Sequence, residues 1–129
     1  MKDTYTAGVL EQNDKFLLVY HMGVKRWVFP GGKPECDENA WQCIVRELKE
    51  EIGVEVHHVE FAHVVPSTIT PKGDWFGIIF RVLAWLGEPR IMEPKAHGDI
   101  HWFSAKDITW EPERGIVEKI IAMPQPERS

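Results

Sequence analysis

The chain has 129 residues, 43% of them hydrophobic and six of them Trp, which is the size and composition of one globular domain with its own core. Its net charge of −5, with no basic run, argues against a nucleic-acid surface. Two cysteines, Cys36 and Cys43, are too few for a secreted disulfide framework or a cysteine zinc site. The opening MKDTYTAGVL lacks a signal-type apolar segment, and the longest apolar stretch, Trp75 to Leu86, is broken by Arg81. It is too short to span a bilayer, so a cytoplasmic protein with no membrane partner is expected.

In chain order, Thr4–Leu10 and Phe16–Tyr20 read as strands, with Asn13-Asp14 as the turn of a hairpin. Trp27–Phe29 is a short extended piece that runs into the break Pro30-Gly31-Gly32. A helix is expected from about Glu38 to Ile52, capped by Asp37 or a neighbour and closed by Gly53. Val54 to Val65 is β-rich, Pro66 to Asp74 is expected to be a loop, and Trp75 to Leu86 is the clearest later strand. Gly87 to Gly98 reads as irregular and Ile100–Phe103 as a short strand. Glu113 to Ala122 is a second amphipathic helix, stopped by Pro124 and Pro126. Strands in mixed order around two helices predict an α+β sandwich with a mixed sheet.

The first helix carries the chemistry. Ala40, Ile44 and Leu48 recur every fourth residue, with Trp41, Val45 and Ile52 beside them, so one face is apolar. Glu47, Glu50 and Glu51 stand at i, i+3 and i+4 and converge on another face. They occupy the last two turns, where the helix dipole repels anions at a cost of ~0.3–1 kcal/mol each. Like-charge pairs at this spacing add roughly 0.2–0.5 kcal/mol. Only Arg46 is placed to offset Glu50. A solvated acidic face is the ordinary meaning of a charge run, but here the charges sit at the wrong end of the helix. A hard divalent cation relieves the repulsion: Mg²⁺ takes one or two carboxylates plus phosphate oxygens and keeps several waters.

The same stretch, GKPECDENAWQCIVRELKEEIGV from Gly32 to Val54, fills every position of G-x5-E-x7-R-E-U-x-E-E-x-G-U, with U aliphatic. The fixed positions are Gly32, Glu38, Arg46, Glu47, Glu50, Glu51 and Gly53, with Leu48 and Val54 at the aliphatic ones. This resembles the Nudix box. The preceding Trp27-Val28-Phe29-Pro30-Gly31-Gly32-Lys33 is similar to the lead-in of MutT-type Nudix proteins. Asp99-Ile100-His101-Trp102-Phe103 resembles the family's acidic-U-x-W-F segment.

The resemblance implies one Nudix domain over residues 1–129, an α/β/α sandwich with a mixed sheet. It implies an enzyme that uses Mg²⁺, with Mn²⁺ able to substitute, to cleave a pyrophosphate bond in a nucleotide. A nucleoside triphosphate is the expected substrate, giving a monophosphate and pyrophosphate, with a role in clearing the nucleotide pool. ADP-ribose or a dinucleoside polyphosphate is the alternative substrate, and a non-catalytic nucleotide-binding module the alternative class. The state is expected to be monomer or homodimer.

Carried over by position, Glu47, Glu50 and Glu51 hold the metal together with the backbone carbonyl of Gly31. Arg46 orients the glutamates, with Glu38 as its partner, although Glu38 also suits a helix start. Lys33 matches a lysine near the phosphates. Asp99, one methylene shorter than the Glu often found there, is the candidate additional ligand or general base, and His97 is the weaker one. Phe29, His21 and Trp27 lie where MutT-like proteins shape the base pocket, with core packing the stronger reading for Trp27. Trp110 and Glu113 are candidates for a base contact with no motif of their own. His57-His58 cannot chelate one ion, because neighbours on a strand point to opposite faces.

Overall fold

The computed structural model describes residues 2–70 and 73–125, with side chains for 4–66 and 75–125. The strands are β1 (Lys2–Gln12), β2 (Lys15–His21), β3 (Arg26–Val28), β4 (Gly31–Gly32), β5 (Glu55–Thr70), β6 (Gly73–Leu86) and β7 (His97–Ser104). The helices are α1 (Ala40–Ile52) and α2 (Glu113–Ala122), with a short 3₁₀ turn at Ala105–Asp107. The strands form one sheet in the order β3-β2-β1-β6-β5, with β4 joined to β1 and β7 to β2. β1 and β6 run parallel and the other pairs antiparallel, so the sheet is mixed as expected.

The β1–β2 hairpin closes through Asn13 and Asp14, at φ 54° and 61°. Two residues in the left-handed region give a turn whose twist matches the strands it joins. Along these strands, side chains alternate between two cores. Ala7, Val9, Phe16 and Leu18 meet Ile116, Val117 and Ile120 of α2. Leu10, Leu17 and Val19 meet Ile44, Leu48 and Ile52 of α1. A sheet covered on both faces needs continuous apolar strands, and that is why Phe16–Val19 is apolar at every position. The result is the three-layer α/β/α sandwich expected from the sequence.

Two boundaries differ from the sequence reading. Helix α1 starts at Ala40, and its cap is Asn39 rather than Asp37. Asn39 has the extended backbone a cap requires (φ −83°, ψ 171°), whereas Asp37 sits at φ 68° in the preceding turn. The Asn39 side chain accepts from Gln42 N–H at 2.8 Å, and Gln42 Oε1 accepts from Asn39 N–H at 3.0 Å, which completes a capping box. Glu38 therefore lies outside the helix. At the other end, Gly53 takes φ 71° and its N–H reaches Lys49 O at 3.1 Å.

The second difference is the expected loop from Pro66 to Asp74. Strands β5 and β6 instead run on as a long hairpin to Thr70 and Gly73; Pro71 and Lys72 lie outside the described residues. β5 is an edge strand, and its register slips between Val65 and Thr68, around Pro66. An edge strand and a bulge are the places where a proline's missing N–H costs a sheet least.

Asn39→Ala removes the side-chain acceptor at the start of α1. It should lower stability by about 1 kcal/mol in urea unfolding, with an unchanged slope against denaturant.

Candidate active site

The site is built where the last turns of α1 meet β4. A Cβ at Gly31 would overlap the backbone of Thr6, and one at Gly32 would overlap the Glu47 carboxyl group. Only glycine lets the helix carboxylates lie this close to the strand. Thr6 Oγ1 donates to Gly32 O at 3.0 Å, which fixes the β4 backbone from beneath.

Arg46 organises the acidic face. Its Nε and Nη2 grip both oxygens of Glu38 at 2.7 and 2.9 Å, a bidentate pair. Its Nη1 donates to Glu47 at 2.9 Å and Glu50 at 3.0 Å, and Nη2 also reaches Lys33 O at 3.3 Å. The expected Arg46–Glu38 partnership is thus present. The guanidinium hydrogen bonds, aided by the Glu35 backbone, hold the Glu38 carboxyl down at about 2. Among other causes, the Glu38 bond raises Arg46 above its usual value.

Glu51 is 4% exposed. Burial, then the adjoining Glu47 carboxyl, push it up to about 10, opposed by a hydrogen bond from the Gly31 backbone. Two carboxyls that share a hydrogen bond out of water cannot both be ionised unless another positive charge is present. That donor set, on a glycine strand with no room for a Cβ, fits a divalent cation. Glu50 is half-exposed and drawn to Arg46. Among the described residues no three acidic, imidazole or thiol side chains close on one point. Glu47 and Glu51, with substrate oxygens and water, are a set of the kind a hard cation accepts. The Gly31 backbone N–H meets Glu51 of this pair.

β4 also walls a cavity of about 580 Å³, lined among others by Tyr5, His21, Phe29, Gly31, Trp75 and Glu113. Its size is that of a small-molecule site. His21 and Phe29, expected here, line it. Trp27 does not: it packs edge-on against Phe103 (5.0 Å between centroids) and Tyr20 (5.6 Å), and its carbonyl accepts from Trp110 Nε1. Lys33 Nζ lies 4.7 Å from the centre of the Trp75 ring, at the cavity's edge.

The Asp99 reading is not supported by its placement. Asp99 is exposed, and its Oδ1 accepts from the next residue's N–H at 2.8 Å. His97 is 4% exposed, with Nε2 3.1 Å from Glu51 Oε1. Regular alternation would put residues 97 and 99 on the same face. The register shifts between them: Tyr20 pairs with Asp99 but His21 with His97, leaving Gly98 as an extra residue. This bulge turns His97 to the box and Asp99 to solvent.

Glu113 is the strongest feature the sequence understated. It is 4% exposed at the start of α2 and lines the cavity. Its Oε1 has no hydrogen bond and only a long 3.5 Å contact to Arg26. Burial raises its pKa, partly offset by Arg26. Burial, and then Glu113 itself, raise Tyr5 as well. A carboxylate in the first turn of a helix is ordinary in sequence, so nothing there signals that this one is buried.

The chain matches the NUDIX domain family over residues 2–122. It is 30% identical over 115 residues to the CTP pyrophosphohydrolase of Escherichia coli, covering 85% of this chain and 76% of that one. A provisionally named 8-oxo-dGTP diphosphatase 2 of Mycobacterium tuberculosis is 34% identical over 96 residues, covering 71% of this chain and 66% of that one. The fold superposes on a MutT Nudix hydrolase of Burkholderia pseudomallei with TM-score 0.85 and 23% identity, over 93% of this chain and 98% of that one. The chain belongs to the Nudix hydrolases. Members of this enzyme family generally use a divalent metal ion. Among the described residues no helix is long and apolar enough to cross a membrane.

Two carboxyls titrate with opposite sign. Glu38, lowered to about 2 from 4.5, stabilises the fold above its unfolded value, and that contribution disappears as pH falls toward 2. Glu113, raised by burial, destabilises the fold as pH rises through its unfolded value. Melting scans should show Glu113→Gln more stable than wild type at about pH 8 and no different at about pH 4. Glu38→Gln should lose stability at about pH 8 and converge with wild type at about pH 2.

Proposed function

We propose that the protein is a Mg²⁺-dependent pyrophosphohydrolase of nucleoside triphosphates, releasing a nucleoside monophosphate and pyrophosphate. One observation carries this reading. The Glu47–Glu51 pair and the cavity share a wall, the glycine strand β4, so a nucleotide seated in the cavity presents its phosphates to the acidic face. The names of the two relatives, both nucleoside triphosphate hydrolases, support the same substrate class.

Glu47, Glu51 and Glu50 would hold the cation, which when bound supplies positive charge at the phosphate oxygens. Arg46 keeps Glu47 and Glu50 oriented while its other edge is anchored on Glu38. Glu50, the most exposed of the three, takes the proton from the attacking water. Lys33 at the cavity's edge stabilises the charge on the departing phosphate. Phe29 and Trp75 offer apolar walls to the base, and Glu113 reads its hydrogen-bonding edge from the floor. With Cys36 and Cys43 both free thiols, a cytoplasmic location agrees with this reading.

Purified protein with Mg²⁺ should release pyrophosphate from at least one member of a panel of dNTPs, NTPs and oxidised dNTPs. Release of AMP from ADP-ribose alone would overturn the triphosphate assignment, and binding without turnover would overturn the enzymatic one. Glu50→Gln should reduce kcat by ~10²–10⁴ with the fold retained. Glu113→Gln should reorder the preferred bases by about tenfold in kcat/KM. Because Mg²⁺ binds only the folded chain, millimolar Mg²⁺ should raise the melting temperature of wild type and of Glu113→Gln, but not of Glu47→Gln.

A further inference from the structure

The segment between β6 and β7 closes on the C-terminal end of α1. Arg90 N–H donates to Ile52 O at 3.0 Å and Met92 N–H to Glu51 O at 3.1 Å, so the loop supplies donors to carbonyls a helix end leaves unpaired. The third contact is a side chain, His97 Nε2 to Glu51 Oε1 at 3.1 Å. Both residues are 4% exposed.

The backbone around His97 is tied on two sides. His97 N–H donates to Glu93 O at 2.9 Å, and the neighbouring Ala96 O accepts from Met22 N–H at 2.8 Å. The His21 ring stands edge-on at 5.8 Å. Nδ1 of His97 is buried with no hydrogen-bond partner. A neutral imidazole carries one N–H, and only Nε2 has an acceptor to donate to. Nε2 lies 3.1 Å from Oε1 of Glu51, the most deeply buried carboxyl of the box.

We propose that His97 is a positioning residue for divalent-cation binding. Its Nε2–H fixes one oxygen of Glu51 so that the carboxyl stays turned toward Glu47 and Gly31. The start of β7, which carries His97, thereby sets how tightly the α1 site holds a cation. This rests on the reading of Glu47 and Glu51 as cation ligands. A ligating carboxylate whose orientation is left to chance binds more weakly, and loss of such a supporting bond typically costs ~10–100-fold in metal affinity.

The test is titration of the purified chain with Mn²⁺, without nucleotide, following free Mn²⁺ by electron paramagnetic resonance. Circular dichroism checks the fold of each variant. His97→Leu should weaken Mn²⁺ binding by ~10–100-fold. His97→Gln, whose amide nitrogen reaches the place of Nε2, should stay within about threefold of wild type, and the shorter His97→Asn should behave like the Leu variant. The Gln and Asn pair carries the test if the Leu variant does not fold. In turnover, His97→Leu should recover kcat at saturating Mn²⁺ with KM for nucleotide unchanged. Mn²⁺ affinity equal to wild type in the Leu and Asn variants, or lost equally in Gln and Asn, would overturn the proposal. Failure of wild type itself to bind Mn²⁺ would overturn the cation reading beneath it.

Discussion

The molecule depends on a guanidinium that holds carboxylates where a helix does not want them. Arg46 satisfies Glu38 on one edge and Glu47 and Glu50 on the other. Each of the three helix glutamates costs ~0.3–1 kcal/mol against the dipole. The helix nevertheless forms, because Ile44, Leu48 and Ile52 are fully buried along it. Each such side chain contributes about 1.5–3 kcal/mol. Apolar burial therefore outweighs the dipole penalty, and Arg46 needs only to orient the charges. The capping box at Asn39 and the left-handed Gly53 secure the two ends so that the strained turns need not fray.

Much of this was legible in the sequence. The fold class, α2 from Glu113 to Ala122 and the Asn13-Asp14 hairpin follow from periodicity and turn chemistry, which are local. The box was legible because its spacing is fixed by one helix and one glycine pair. Other features depend on pairing between distant segments. The Gly98 bulge that exchanges the roles of His97 and Asp99 exists only in the register of β7 on β2. Pro66 reads as a loop residue until β5 is known to be an edge strand. Trp27 sits in a motif beside Phe29, yet its neighbours Tyr20, Phe103 and Trp110 come from three other places in the chain.

Glu51 and Glu113 share a physical condition with different consequences. Both are buried carboxyls with raised pKa, and both lack a strong ion pair. A chain selected only for stability would not retain them, since an apolar residue of similar size avoids the desolvation cost. Such groups concentrate where a ligand completes them. Glu51 faces a second carboxyl and a backbone N–H, which leaves it short of positive charge. Glu113 faces an apolar cavity and meets Arg26 only at 3.5 Å, which leaves its Oε1 short of hydrogen-bond donors.

These two deficits call for different parts of one ligand. In the proposed reading the first is met by a cation with phosphate oxygens, the second by the N–H edge of a base. β4 lies between them, and its two glycines touch both the Glu47 carboxyl and the cavity. In the proposed reading the reaction chemistry falls to α1 and selectivity to α2, from opposite layers of the sandwich. On that reading, substitutions around α2 change which base is read without disturbing the Arg46 clamp, because the two helices pack on separate cores.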